Sequence, residues 1–157
     1  MKNAFFYETH IGKIGIAENG TAITHVCFEG EEDFADADIK ETDLLREAGK
    51  QLQEYFLGKR KAFDLPFAPH GTEFQQQVWR MLREIPYGET CSYGEVARRM
   101  DHPKAARAVG MANNRNPIAI MIPCHRVIGA NGKLVGYAGG LDIKERLLNL
   151  ERKYMKR

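Results

Sequence analysis

The sequence predicts an α+β fold with a small N-terminal sheet-and-helix domain, residues 1–68, and a helical C-terminal domain, residues 69–157. Runs rich in Phe, Tyr, Ile, Val and Thr, which are typical of strands, cluster before residue 30. After residue 72, apolar residues recur mainly at helical spacing. A connection containing Pro66, Pro69 and Gly71 separates the two patterns. Because the chain has 157 residues, it can bury a core in one domain or in two small ones.

The N-terminal domain is predicted to hold three strands and one helix. The runs with strand composition are 4–9, 13–17 and 22–28. Asn19-Gly20 favours a two-residue type I′ hairpin turn between the last two runs. Residues 29–38 are acidic and polar and indicate a loop. From Thr42 to Phe56 apolar residues recur at helical spacing, and Gly58 suits the position after a helix end.

Capping signals predict where two helices of the C-terminal domain begin. Thr72 is followed by Gln75, and Ser92 by Glu95, both at the spacing of a capping box. The first helix is expected to end at Pro86, because proline interrupts the helical hydrogen bonds.

The helix that begins at Ser92 is expected to end near Met100 and to be followed closely by another. Asp101-His102-Pro103 forms the turn, with Pro103 at the first position of a compact helix from Lys104 to about Ala112. Two short helices joined in this way predict a helix-turn-helix. A last amphipathic helix is expected from Asp142 to Tyr154. Four of its residues are predicted to be buried: Ile143, Leu147, Leu150 and Tyr154.

The charges are distributed unevenly along the chain. Residues 1–69 carry 8 Lys and Arg against 13 Asp and Glu, and residues 70–157 carry 15 against 8, so that −5 and +7 give the net +2. A basic half indicates a surface for nucleic acid, although chance variation in solvated charge gives the same pattern. No apolar run is long enough to cross a membrane, and the first residues lack the apolar core of a signal peptide. We therefore expect a cytoplasmic protein.

The three cysteines, at positions 27, 91 and 124, include no pair at the spacing of a zinc site, and their odd number does not suit a disulfide framework. Cys27 and Cys91 are interpreted as small buried apolar residues. Cys124 differs because His125 and Arg126 follow it, and a histidine or positive charge nearby lowers the pKa of a thiol. Adjacent side chains diverge, so His125 is expected to reach the thiol through a water or a local turn. Glu151 is the best acidic candidate to orient His125.

The helix from Lys104 to Ala112 has an unusual surface for a helix that recognises DNA. Its exposed face is predicted to consist of alanines and glycine around Arg107, without the long polar side chains that read bases in the major groove. Such a smooth helix suits close minor-groove contact, with Arg107 entering the duplex or holding a phosphate. Tight packing in the core, with Arg107 merely exposed, is the alternative.

The C-terminal domain contains three characteristic short segments: Ala-Ala-Arg-Ala-Val-Gly at 105–110, Pro-Cys-His-Arg-Val-Ile at 123–128 and Tyr-Ala-Gly-Gly-Leu at 137–141. They resemble the O6-alkylguanine-DNA alkyltransferases, and the resemblance covers nearly the whole chain. It implies a ribonuclease-H-like N-terminal domain and a C-terminal domain with a helix-turn-helix. The implied function is direct reversal of DNA damage, in which an alkyl group moves irreversibly from guanine O6, or less readily thymine O4, to one cysteine.

The resemblance also implies catalytic roles. Cys124 would accept the alkyl group, His125 would act through a water as its base, and Glu151 would hold the imidazole. Tyr93 would assist rotation of the DNA backbone and protonation of the leaving guanine. Asn116 would brace the turn between the recognition helix and the active-site strand.

Further residues are implied in DNA binding and in the substrate pocket. Arg107 would fill the gap left when the damaged base flips out. The implied DNA-binding residues are Arg107, Tyr93, Ala105, Ala106, Ala108, Gly110 and Arg115. The implied pocket residues are Val127, Tyr137, Ala138, Ala119 and Met121. The main-chain carbonyls of Cys124 and Val127 would accept from the guanine amino group.

Two positions depart from some relatives. Ala138 stands where some have serine, and Ala119 where some have proline, so the O6 contact and the pocket width differ from theirs. No cofactor and no metal are expected, because the alkylated base is itself the electrophile. The expected partner is double-stranded DNA that contains alkylated bases, bound through its minor groove by a monomer, with no membrane association.

Two other function classes stay open. A helix-turn-helix regulator or lesion-binding protein without transfer predicts DNA binding that is unaffected by Cys124→Ser. A thiol hydrolase that uses Cys124 and His125 predicts turnover on an ester or peptide and indifference to DNA.

Overall fold

The structure, a computed structural model, describes residues 1–31, 34–134, 136–137 and 139–155. The chain forms two compact units. The first comprises Met1–His70 and Pro117–Met121, and the second comprises Gly71–Asn116 and Ile122–Arg157. The α+β class predicted from the sequence is confirmed. Among the described residues, no helix has the length and apolar character that crossing a bilayer requires.

A four-stranded sheet forms the first unit. Its strands are β1 (Asn3–Thr9), β2 (Gly12–Glu18), β3 (Ile23–Phe28) and β4 (Asp38–Ile39), in the order β3-β2-β1-β4. The first three strands pair antiparallel and correspond to the predicted runs. The exposed β4 pairs parallel to β1 at the end of the segment that we expected to be loop. Only two residues of β4 pair with β1, which is too short a stretch to show the alternation of apolar and polar residues that predicts a strand.

The predicted type I′ turn between β2 and β3 is wrong. That turn requires positive φ at both central residues, whereas only Gly20 has it, with φ 103°. The Asn19 side-chain oxygen instead accepts hydrogen bonds from the backbone N–H groups of Thr21 and Ala22, at 3.0 and 2.9 Å. This side-chain turn gives a longer connection than the two-residue hairpin.

One helix, α1 (Asp43–Phe56), packs against β1 and β2. Thr42 caps its first turn, and Gly58 follows its end with φ 74°, as predicted. The apolar run that begins at Ile118 adds to the same unit, because Val26 of β3 donates to Pro117 and accepts from Ala119. Ile118 therefore lies beside β3 as a single bridge residue, and the chain then turns at residues 119–121, where Ile120 has a φ of 71°.

Four helices dominate the second unit: α2 (Glu73–Leu82), α3 (Tyr93–Arg99), α4 (Ala106–Asn114) and α5 (Leu141–Met155). A 3₁₀ turn at Cys124–Arg126 precedes a short strand, β6 (Val127–Ile128), which pairs parallel to β5 (Cys91–Ser92). The buried indole of Trp79 on α2 donates to the Ala112 carbonyl on α4 at 2.9 Å. This bond fixes two of the helices relative to each other.

The capping signals are confirmed at Thr72 and only in part at Ser92. The capping box of α2 is complete. At α3 the Ser92 hydroxyl accepts from the Glu95 backbone at 3.1 Å, but the Glu95 carboxylate bonds Arg98 and Arg99. Nearby guanidinium groups therefore outcompete the backbone N–H for that carboxylate.

The predicted bounds of α4, Lys104 to about Ala112 with Pro103 suited to the first helical position, are wrong by about two residues at each end. A turn closed by the Ala105 N–H and the His102 carbonyl occupies this segment, and the helix begins at Ala106 and extends to Asn114. No side chain caps the start of α4, so the preceding turn sets where it begins.

The prediction of which face of α5 is buried is also wrong, because the buried positions are shifted by about one residue along the sequence. Lys144, Leu147, Leu148 and Glu151 are the buried residues of this helix. Of the four residues predicted from the apolar pattern, only Leu147 is buried, and Ile143, Leu150 and Tyr154 are half-buried. Two charged side chains therefore face the interior, where they serve the site described next.

Candidate active site

Cys124 lies at the start of the 3₁₀ turn. Its N–H donates to the Ile122 carbonyl across Pro123, and its own carbonyl accepts from the Val127 N–H that begins β6. The side chain is only 5% exposed. Two successive tight turns thus hold the thiol in a fixed, nearly dry position.

His125 and Glu151 are fully buried and directly bonded. Imidazole Nε2 and carboxylate Oε2 lie 2.6 Å apart. Because an ionised carboxylate only accepts hydrogen bonds, Nε2 carries the proton and neutral His125 keeps a lone pair on Nδ1. Among the described residues, this buried Nδ1 has no hydrogen-bond partner. The imidazole is therefore oriented to accept a proton at Nδ1.

Arg126 completes the surroundings of Glu151. Its guanidinium donates to both carboxylate oxygens, at 2.9 and 3.1 Å, and to the Ile85 carbonyl at 2.8 Å. The Gly88 N–H adds a further bond at 3.1 Å. From the sequence, Arg126 was considered as a charge acting on the thiol, but in the structure it pairs with Glu151.

The buried site shifts the pKa values of its titratable groups. Burial raises the pKa of Cys124 to about 11, against the opposing effects of an Asn116 hydrogen bond and the Lys144 charge. Burial also lowers the pKa of His125, against the hydrogen bond to Glu151, so the imidazole is held neutral. Burial alone would raise the pKa of Glu151, but His125 and Arg126 hold it well below its usual range.

Lys144 on α5 is a site residue that the sequence analysis missed. Its ammonium donates to the Val127 carbonyl at 2.6 Å and to the Gly136 carbonyl at 3.4 Å. The side chain has no exposed surface, and burial lowers its pKa to about 8. Its spacing of seven residues from Glu151, two helical turns, was the available signal, because it places both on one face of α5.

The structure also brings Asn116 and Tyr93 into this region. Asn116 donates to the Ile122 carbonyl at 2.8 Å and lowers the pKa of Cys124 through a hydrogen bond. Half-buried Tyr93 begins α3, and charge at Cys124 adds to the effect of burial in raising its phenolic pKa.

Four of the five predicted pocket residues lie within the described part of the chain. Val127 is buried with its carbonyl already bonded to Lys144, and Tyr137 is half-buried. Ala119 and Met121 are buried in the first unit. Ala138 lies outside the described residues.

The exposed face of α4 carries the predicted DNA-binding residues. Arg107, Ala108 and Arg115 are exposed, and Ala105, Ala106 and Gly110 are half-buried. The expectation of a smooth helix is wrong, because Met111 is 58% exposed one turn after Arg107. A large apolar side chain therefore projects between two arginines.

Within the described ranges, no group of three or more His, Cys, Asp and Glu side chains is arranged to hold a metal ion.

Comparisons with protein-family models match almost the whole chain. The ribonuclease-like domain of 6-O-methylguanine DNA methyltransferase matches residues 4–69, and the DNA binding domain of the same family matches residues 73–153.

Individual proteins and solved structures agree with these models. The methylated-DNA–protein-cysteine methyltransferase of Methanosarcina acetivorans is 55% identical over 148 residues, covering 92% of this chain and 95% of that protein. The constitutive enzyme of Bacillus subtilis is 51% identical over 153 residues, covering 92% of each chain. The crystal structure of Mycobacterium tuberculosis OGT in complex with DNA matches with a TM-score of 0.92 and 43% identity, covering 97% of this chain and 94% of that chain.

Proposed function

The chain belongs to the 6-O-methylguanine DNA methyltransferase family, and from this we propose that Cys124 accepts an alkyl group from guanine O6 in DNA. The product is repaired guanine, so the reaction is direct reversal of damage. The observation that carries the proposal is the buried Cys124–His125–Glu151 arrangement, with Nε2 of His125 bonded to Glu151 at 2.6 Å and Nδ1 left to accept a proton.

The chemistry follows from these groups. The Cys124 proton passes to Nδ1 of His125 through a water, and the sulfur attacks the alkyl carbon. The new S–C bond replaces the O6–C bond, whose electron pair leaves with the guanine. The proton taken from the thiol is returned to the guanine ring, so that no cofactor or outside reagent is consumed. Because the thioether product is stable, each molecule acts once.

The alkylated base must leave the duplex to reach the thiol. Cys124 is only 5% exposed, and extrusion of a base costs a few kcal/mol, least where pairing is already weakened. We assign Arg107 to filling the gap in the stack and Arg115 to phosphate contact. Both are exposed on α4, which suits minor-groove contact.

Tyr93 and Asn116 are assigned supporting roles. Tyr93 would donate its phenolic proton to the leaving guanine and be reprotonated by the proton taken from the thiol, so that one proton in total is transferred; its electrostatic link to Cys124 supports this assignment. Asn116 would brace the turn that leads to the nucleophile, supported by its bond to the Ile122 carbonyl. The guanine amino group would donate to the Val127 carbonyl beside its present donor, Lys144, since a carbonyl oxygen has two lone pairs. The Cys124 carbonyl already accepts from the Val127 N–H and, at 3.4 Å, from the Asn113 amide, so guanine would replace the longer Asn113 bond there.

We assign residues 69–157 to DNA binding and alkyl transfer and residues 1–68 to their support. A cytoplasmic location suits the three cysteines, which are all outside disulfides, because the cytosol keeps thiols reduced.

The test is the intact mass of the protein after reaction with duplex DNA that contains one O6-methylguanine. We expect each molecule to gain one methylene's mass at most, mapped by peptide analysis to Cys124. Cys91→Ser is the matched control, because Cys91 is also buried but has no adjacent histidine. This variant must still accept the methyl group. Tight binding to the lesion with no mass gain on a reduced Cys124 would instead identify a lesion-binding protein.

A further inference from the structure

Lys144 is unusual because a charged amine is costly to bury. Of the lysines in the described part of the chain, it alone is buried, with no exposed surface. Lysine side chains are almost never fully buried unless they are paired. The mechanism above leaves this residue without a role.

The ammonium lies at the end of the turn that carries the nucleophile. It donates to the Val127 carbonyl at 2.6 Å, and the N–H of the same residue donates to the Cys124 carbonyl. Its second hydrogen bond, to the Gly136 carbonyl at 3.4 Å, links the backbone at Gly136 to β6 through the same ammonium. Lys144 is therefore held in place by backbone groups near the thiol.

The neighbouring charges indicate which acidic side chain the Lys144 charge can stabilise in its ionised form. The buried carboxylate of α5, Glu151, is already bonded by His125, Arg126 and the Gly88 N–H. On the 3₁₀ turn, the titratable groups that interact with Lys144 are Cys124, where its charge favours the thiolate, and His125, where it favours the neutral imidazole. The first effect favours loss of the thiol proton, whereas the second keeps the resting imidazole unprotonated but opposes the imidazolium that forms when the proton arrives.

We propose that Lys144 is the counter-cation of the Cys124 thiolate and that its charge stabilises the sulfur anion during alkyl transfer. This inference rests on the proposed function. His125 takes the proton from the thiol, whereas Lys144 gives and takes none and supplies only a fixed positive charge. When the S–C bond forms, the sulfur becomes neutral and the ammonium remains as it was. Lys144 is thus an electrostatic positioning residue distinct from the base.

The test compares variants of Lys144 with wild type. Lys144→Met removes the charge at similar length, Lys144→Arg keeps it, and Lys153→Met removes an exposed lysine of the same helix as a control. The thiolate fraction of Cys124 is measured from the rate of its alkylation by iodoacetamide at pH 7, where Lys144, with a pKa of about 8, is protonated; the alkylated site is mapped by peptide mass. Methyl transfer is measured on duplex DNA at a saturating concentration.

We expect Lys144→Met to slow the alkylation of Cys124 by iodoacetamide at pH 7 about tenfold or more, and to slow methyl transfer at pH 7 by a similar factor. Lys144→Arg should stay near wild type in alkylation rate, and Lys153→Met should be unchanged in both measurements. An unchanged alkylation rate in folded Lys144→Met would overturn the proposal, whatever its transfer rate.

A further variant separates charge from hydrogen bonding and also serves if Lys144→Met does not fold. Lys144→Gln is neutral but keeps an N–H donor for the backbone carbonyls, so it should slow alkylation at pH 7 as the methionine does. Full restoration of the rate by glutamine would overturn the charge role. The iodoacetamide reaction needs no DNA, so a protein in which Lys144→Met slows alkylation, but which accepts no methyl group, would refute the proposed function alone.

Discussion

The buried ammonium of Lys144 should make the stability of the protein depend on pH in a specific way. Burial lowers its pKa from 10.5 to about 8, so the folded state disfavours the protonated lysine. Between pH 8 and pH 10.5, Lys144 therefore binds a proton more readily in the unfolded chain than in the folded protein. The contribution of Lys144 to stability is therefore fully present above pH 10.5 and is lost as the pH falls through 8.

The magnitude follows from the difference between the two pKa values. At about 1.4 kcal/mol per pH unit, the full gap corresponds to about 3 kcal/mol, of which about 2.5 kcal/mol falls between pH 7 and pH 10. Lys144→Met removes this dependence. The free energy of unfolding of the lysine protein relative to the methionine variant should thus rise by about 2.5 kcal/mol across that range. Hydrogen bonds lost to Val127 and Gly136 lower the stability of the variant equally at each pH and cancel from the comparison.

The assay is urea unfolding followed by fluorescence of Trp79, the single tryptophan, which is buried in the same unit. Both proteins carry Cys124→Ser, so that ionisation of the thiol does not contribute. Lys153→Met in the same background is the control and should run parallel to its parent. Parallel curves for the Lys144 pair would refute the reasoning, because they would mean that this ammonium titrates as it does in water.

Two other substitutions test the site and the surface of α4. Glu151→Gln leaves the buried Arg126 without its carboxylate, which should cost about 3 kcal/mol of unfolding free energy and slow transfer; a loss below about 1 kcal/mol in urea unfolding would contradict this. Met111→Glu places a negative charge between exposed Arg107 and Arg115 and should weaken duplex binding about tenfold without changing stability, as measured by fluorescence anisotropy and urea unfolding. Equal affinity of this variant and of Met111→Gln would exclude α4 from the DNA surface.

Much of the fold could be predicted because it depends on local signals. Thr72 caps a helix where its spacing to Gln75 indicates, α1 occupies the run of helical periodicity that begins at Thr42, and the three long strands follow their apolar runs. The start of α4 could not be predicted in this way. No capping side chain marks it, and the turn at 102–105 depends on backbone bonds that the residue types do not specify.

The buried face of α5 shows a different limit. Apolar periodicity selects Ile143 and Leu150, because burial of hydrocarbon is the usual reason for a residue to face inward. In the structure, Lys144 and Glu151 face inward because each meets partners from distant parts of the chain, namely two backbone carbonyls and the His125–Arg126 pair. A sequence pattern weighs each residue by its own polarity, so it cannot include partners that only the tertiary fold supplies.

The two buried cations of the site, Arg126 and Lys144, differ in their partners: Glu151 is always ionised, whereas Cys124 becomes an anion only during the reaction. Arg126 is bonded to a carboxylate that is ionised throughout, because the pKa of Glu151 is held well below its usual range. This permanent pair limits how strongly Glu151 can raise the pKa of His125, and the imidazole stays neutral and able to accept a proton. The Cys124 thiol, with its pKa raised by burial, becomes an anion only when that proton leaves. A cation fixed beside it before the reaction therefore favours the ionised thiol over its resting form, which is how preorganised charge accelerates a reaction.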